Sequence, residues 1–144
     1  MRRLVVAAAI IREQRVLACR RTAPPEAAGR WELPGGKVED GESPREALER
    51  EIAEELGVRV RVEGWLDGAA DIGTTHRLRA AAVTLLEDRA PRPVEHDRLR
   101  WLGATELDDV DWLEPDRPFL AQLRSLLDEG TDLPGRGASG TIEP

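Results

Sequence analysis

The stretch from Gly36 to Val58, GKVEDGESPREALEREIAEELGV, constrains this chain more than any other, because it sets Glu42, Glu51, Glu54 and Glu55 around one short helix. The helix limits are legible. Ser43 is a good N-cap, Pro44 suits the first helical position, Glu46 falls three residues after the cap, and Gly57 can stop the last turn. A helix over Pro44 to Leu56 follows. At about 100° per residue, Leu48, Ile52 and Leu56 form one apolar stripe, while Glu51, Glu54 and Glu55 fall in an adjacent arc of about 100°. The first stripe reads as core and the second as the edge of a site.

Like charges at i,i+4, as Glu51 and Glu55 are, destabilise an isolated helix by about a few tenths of a kcal/mol, and burial beside a sheet raises that cost. A bound divalent metal reverses the sign. Oxygen-only ligands suit a hard cation, Mg²⁺ or Mn²⁺, which keeps some waters and shares its shell with substrate phosphates. The alternative is a solvated acidic helix face, in a chain where 34% of residues are charged.

The wider chain fits a compact enzyme. Its 144 residues suit one domain, read as 1–129, and 40% hydrophobic residues suffice for a core. Gly130 to Pro144, rich in glycine and small residues, reads as a flexible tail. A net charge of −7 argues against binding a nucleic-acid backbone but leaves room for a small polyphosphate carried with its Mg²⁺. No apolar run approaches the length of a membrane span, and Met1-Arg2-Arg3 leads straight into a strand-like segment, so neither a span nor a signal peptide is expected. Together with the unpaired Cys19, read as buried filler, this points to a cytoplasmic protein, monomeric or homodimeric. One cysteine, two histidines and no G-x-S-x-G elbow leave no competing catalytic set.

Along the chain, Leu4–Ile11 and Val16–Arg20 read as a strand hairpin, Thr22–Gly29 as a loop, and Trp31–Leu33 as a short extended piece. Pro34-Gly35-Gly36 breaks structure and lets backbone approach a ligand closely. Arg59–Leu66, Leu78–Leu86 and Leu99–Leu102 read as strands, with a polar stretch from Asp67 to His76 and a loop from Ala90 to Asp97. A last helix over Phe119–Asp128 carries Phe119, Leu120, Leu123, Leu126 and Leu127 on its apolar face. Strands alternating with two substantial helices predict an α/β fold, a mixed sheet covered on both sides.

One pattern joins these pieces: Gly36, five residues, Glu42, seven residues, then Arg50-Glu51-Ile52-x-Glu54-Glu55-x-Gly57-Val58. It resembles the Nudix box at every defined position. The resemblance implies an α/β/α sandwich and metal-dependent hydrolysis of a nucleoside diphosphate linked to another group. It further implies that Glu51, Glu54 and Glu55 hold the metals with the Gly35 carbonyl, that Glu51 or a neighbour acts as base, that Arg50 positions them, and that Glu42 supports the loop. The chemistry agrees, since attack of water on a phosphoanhydride needs neutralised phosphate oxygens, an oriented nucleophile and a proton acceptor.

The resemblance runs from about Leu4 to Leu127 and is nearest the MutT-type branch, which hydrolyses nucleoside triphosphates to monophosphate and pyrophosphate. Arg20-Arg21 followed by Glu32-Leu33-Pro34-Gly35-Gly36-Lys37 looks like the corresponding MutT segment. Arg21 matches a phosphate-contacting arginine there, and Lys37, the only lysine, stands beside the glycines near phosphate or on the surface. Glu95, six residues before Trp101, matches an additional acidic ligand or base on a mobile loop, and His96 beside it contacts phosphate or, as the favoured reading, is solvated. Arg77 and Arg79 flank the strand that faces the nucleotide, forming a cationic wall or pairing with surface acids.

For the base, the chain has no asparagine or tyrosine. Asp116 stands where MutT-type members present a polar base reader, and it serves equally as a cap of the last helix. An ionised Asp116 only accepts hydrogen bonds, which favours exocyclic amino groups. The expected substrate is therefore (d)CTP or a modified pyrimidine, overlapping with 8-oxo-dGTP. Stacking would come from Trp31, Trp112 or Leu33, although each of the two tryptophans reads more readily as core or rim than as a base platform. The competing readings are a hydrolase of nucleoside-diphosphate sugars or dinucleoside polyphosphates, and a non-catalytic nucleotide-sensing module.

Overall fold

The computed structural model describes residues 2–129. The first strand, β1 (Arg3–Arg12), turns back through Glu13 and Gln14, both at positive φ, into β2 (Arg15–Arg20). β3 (Trp31–Glu32) and β4 (Gly35–Lys37) lead into α1 (Pro44–Leu56), followed by β5 (Val60–Trp65), β6 (Ala70–Ile72), β7 (His76–Leu85), β8 (Arg98–Leu102) and α2 (Leu120–Glu129). The sheet runs β3-β2-β1-β7-β5, with β4 beside β1, β6 beside β7 and β8 beside β2. β1 and β7 are parallel while the other pairs are antiparallel, so the sheet is mixed.

Alternation along β1 and β7 divides the core between the two faces. Val6, Ala8, Ile10, Ala81 and Val83 pack under Leu48, Ile52 and Leu56 of α1. Ala7, Ala9, Leu78 and Ala80 pack under Leu123 and Leu127 of α2. At the centre Ala7, Ala8 and Ala9 lie opposite Ala80, Ala81 and Ala82. Such small side chains let both layers approach the sheet closely, and the result is an α/β/α sandwich. Cys19 is fully buried, as its apolar surroundings predict.

The ends of α1 are set locally. The Ser43 hydroxyl accepts from the Glu46 N–H at 3.1 Å, the Glu46 carboxylate accepts from the Ser43 N–H at 2.9 Å, and Gly57 stops the helix at φ 70°. Elsewhere the chain departs from expectation. Gly35 and Gly36, expected to break structure, pair with Ala7 and Val6 as a strand, because a Cβ at Gly35 would collide with the Val6 carbonyl. Residues 70–72 of the expected polar stretch form a short strand on β7. Two 3-10 turns, Ala104–Asp109 and Glu114–Phe119, fill the approach to α2, and Pro115 and Pro118 keep the second from becoming α-helix. The expected tail at 130–144 lies outside the described residues.

Candidate active site

Arg50 organises the acidic end of the site. Its Nε and Nη2 donate to the two oxygens of Glu42 at 2.6 and 3.0 Å, and Nη2 also reaches the Lys37 carbonyl at 3.2 Å. Its Nη1 donates to Glu51 at 3.1 Å and to Glu54 at 3.3 Å. Glu42 therefore braces the β4–α1 loop. The Arg50 hydrogen bond, helped by the Glu39 N–H, holds its carboxyl down at about 2. One guanidinium thus fixes the brace and both helix carboxylates together.

Gly36 and Glu51 share one space. A Cβ on Gly36 would fall on the Glu51 carboxylate, so glycine is what lets the helix bring that group against the β4 backbone. One turn along, Glu55 is buried, and its Oε1 has no hydrogen-bond partner. Burial first, then the hydrogen bond and charge of Glu51, hold its carboxyl well above the usual carboxylate range. A buried carboxyl with an orphaned oxygen beside a second, partly buried carboxylate is an arrangement that a cation would relieve. Glu54 differs, with a largely exposed side chain turned to Arg50.

The loop carrying Glu95 is tied down rather than free. The Arg92 and Val94 N–H groups donate to the carbonyls of Leu56 and Glu55 at 2.9 and 3.1 Å, and Arg20 grips Asp97 at 2.8 and 3.0 Å. Glu95 and Glu55 then line a chamber of about 200 Å³ together with Arg21, Glu32 and His96. His96, expected in solvent, is buried, with Nε2 at 2.9 Å from Glu32.

On the α2 face a larger slot of about 370 Å³ adjoins this chamber, and Arg21 and Glu32 line both. Leu33, Gly36 and Lys37, expected at the substrate, line the slot together with Gly35, expected at the metal, and Asp116. Asp116 caps nothing with its side chain. Its Oδ2 accepts from the Leu33 N–H at 2.7 Å, and burial pushes its carboxyl up to about 8. The shift favours the protonated form, which can donate as well as accept, over the acceptor-only carboxylate expected from sequence.

The other expected residues lie elsewhere. Leu78 faces the slot, so alternation turns Arg77 and Arg79 to the opposite face; Arg77 pairs with Asp71 at 3.2 Å and Arg79 covers Trp65 at 4.7 Å. Trp31 and Trp112 are core residues, the latter donating from Nε1 to the Leu107 carbonyl at 2.7 Å, and neither lines the slot. In their place Ile72, His76, Leu113 and Pro115 form its walls. Ile72 and His76 were detectable only as apolar or ring-bearing residues inside a polar stretch, a weak signal without the β6–β7 register.

With the geometry in place, comparison with known proteins is decisive: a NUDIX domain matches residues 1–123. The chain belongs to the NUDIX family. It is a Nudix hydrolase, an enzyme of phosphoanhydride bonds. It is 48% identical over 130 residues, 88% of this chain and 92% of the relative, to "Putative 8-oxo-dGTP diphosphatase 2" of Mycobacterium tuberculosis H37Rv. It is 52% identical over 58 residues, 40% of this chain and 43% of the relative, to a CTP pyrophosphohydrolase of Escherichia coli K12. The E. coli ORF135 protein solution structure superposes with a TM-score of 0.75 at 32% identity, covering 88% of this chain and 91% of that one.

Nudix hydrolases work with a divalent metal. Among the described residues no three carboxylates already converge as a finished cage. The donor set nevertheless suits a hard cation, because every candidate ligand is an oxygen and the orphaned Glu55 Oε1 stands beside Glu51. No helix among the described residues is long and apolar enough to cross a membrane.

Proposed function

We propose that this Nudix hydrolase is a Mg²⁺-dependent nucleoside triphosphate pyrophosphohydrolase, converting a triphosphate and water to monophosphate and pyrophosphate in sanitation of the nucleotide pool. The observation that carries the reading is the pair of adjoining chambers: a slot with aliphatic walls ending in Asp116, and an acidic chamber with Glu55 and Glu95, separated by Arg21 and Glu32. A base and a polyphosphate need these two environments side by side.

Glu51, Glu54, Glu55 and Glu95, with the Gly35 carbonyl, would hold the metal, which supplies charge neutralisation on the phosphate oxygens and polarises water. Glu51, oriented by Arg50 and set against Gly36, acts as the proton acceptor, and Glu95 lines the acidic chamber with Glu55. Arg21 and Lys37 carry positive charge to the phosphates. Leu33 and Leu113, which line the slot, offer the base apolar contact, and Asp116 reads its edge.

In the protonated form that burial favours, Asp116 presents one donor and one acceptor. That matches guanine, with O6 beside N1–H, and cytosine, with N3 beside an N4 amino group. The name of the relative matched over most of its length supports 8-oxo-dGTP. The CTP pyrophosphohydrolase match, confined to 58 residues, supports (d)CTP as a second substrate. A pyrophosphate-release screen with Mg²⁺ over normal, methylated and oxidised nucleoside triphosphates, with sugar nucleotides and dinucleoside polyphosphates as contrast, tests the reading. Release of pyrophosphate with highest kcat/KM on 8-oxo-dGTP or (d)CTP is expected; faster turnover of the contrast set overturns it.

A further inference from the structure

Glu32 sits in the wall between the two chambers, and one of its oxygens is used twice. Oε2 accepts from Arg21 Nη1 at 2.9 Å and lies 2.9 Å from His96 Nε2. A carboxylate only accepts, so the imidazole places its proton on Nε2. Buried histidine normally spends both nitrogens, yet His96 Nδ1 is buried with no partner. The ring is there for the Glu32 contact. Arg21, by contrast, is half-committed. Its Nε donates to the Ala23 carbonyl at 2.8 Å, and among the described residues its Nη2 has no partner.

We propose that His96 is a positioning residue for Arg21: by satisfying Glu32 on the oxygen that Arg21 also grips, it leaves the guanidinium free to turn from Glu32 to a phosphate in the chamber. Arg21 lines both chambers, so a rotation within its own reach suffices. Without His96, that rotation would strand a side chain that is only 16% exposed without any donor, and a buried, unpaired carboxylate is a large penalty. Glu32 would then hold Arg21 away from substrate. His96 thereby couples the loop that carries Glu95 to phosphate binding at Arg21, just after β2, with no direct contact between Glu95 and Arg21 required.

The proposal rests on the reading of Arg21 as a phosphate contact, and steady-state kinetics with the preferred nucleoside triphosphate separate the two. His96→Ala is expected to raise KM about fivefold or more while kcat stays within about twofold. His96→Gln, whose amide still donates, recovers most of the loss. The double variant His96→Ala with Glu32→Gln has a lower KM than His96→Ala alone, because the neutral amide releases Arg21. An unchanged KM in His96→Ala, a fall confined to kcat, or a double variant no better than the single overturns the proposal. Arg21→Ala with normal KM sinks instead the phosphate reading beneath it. Melting curves accompany each variant; should His96→Ala not fold, Glu32→Gln alone decides, since a KM as high as that of Arg21→Ala contradicts a carboxylate whose role is to restrain that arginine.

Discussion

The Asp116 carboxylate and the Leu33 backbone N–H are hydrogen-bonded at 2.7 Å across 83 positions of sequence, closing the end of the slot. This bond joins the segment before α2 to the segment before β4, and both contribute slot walls. Replacing Asp116 by Asn keeps an acceptor for Leu33 but turns the remaining polar group into an amide whose donor and acceptor are fixed, where the acid could exchange them. Asp116→Asn is expected to change the ratio of kcat/KM between 8-oxo-dGTP and (d)CTP by about tenfold, the scale of one altered hydrogen bond. Equal ratios in both proteins would return Asp116 to a purely structural role.

The same residue predicts a pH dependence. Burial raises its carboxyl from 3.8 to about 8 in the folded protein. Between those values the unfolded chain has lost the proton that the folded chain retains. Stability contributed by Asp116 is therefore full below about pH 4 and declines by about 1.4 kcal/mol per pH unit at most until pH passes 8. Melting temperatures in metal-free buffer from pH 5 to 9 should show wild type losing ground to Asp116→Asn as pH rises. Glu55 is present in both proteins and cancels from the difference. Parallel curves contradict the burial argument.

What the sequence revealed follows the range of each signal. The α1 cap and the Gly57 stop depend on residues close in sequence and stand as read, whereas the Arg50–Glu42 hydrogen bond, eight residues apart, was not foreseen. Arg77 and Arg79 depend on which face of β7 meets the slot, and that is settled by pairing with β1 and β6, some seventy and six residues away in the chain. The tryptophans were read as possible platforms because an indole suits a base as well as a core. The Trp112 bond to Leu107 commits it to the core, and Trp31 packs in the same cluster. His96 is buried although the sequence favours a solvated position, because its loop folds inward through backbone bonds to α1 that side-chain composition does not encode.

Gly36→Ala is expected to reduce turnover by about a hundredfold or more. The new methyl would occupy the place of the Glu51 carboxylate, which must then leave the backbone it faces and loosen its contact with Arg50. A Gly36→Ala protein with normal Mg²⁺-dependent rates would remove Glu51 from the reaction.

Glu51 and Glu54 should respond to amide substitution in different ways. Both touch Arg50, but the Glu51 side chain is only 16% exposed and bonds to Glu55, whereas that of Glu54 is 57% exposed. Glu51→Gln removes the charge that helps keep Glu55 protonated, so the carboxyl of Glu55 should ionise at lower pH and the metal-free protein should melt no lower than wild type. Turnover should nevertheless fall by at least about two orders of magnitude, because a carboxylate oriented by Arg50 and needed for charge neutralisation or proton transfer is gone. Glu54→Gln should fall comparably if Glu54 holds metal, yet much of that loss should return at high Mg²⁺ concentration, since its exposed position leaves room for water to complete the cation's shell. Rates measured against Mg²⁺ concentration decide the matter. If raising Mg²⁺ rescues Glu51→Gln as fully as Glu54→Gln, Glu51 is only a metal ligand and the base lies with another carboxylate; if it rescues neither, Glu54 too takes part in the chemical step.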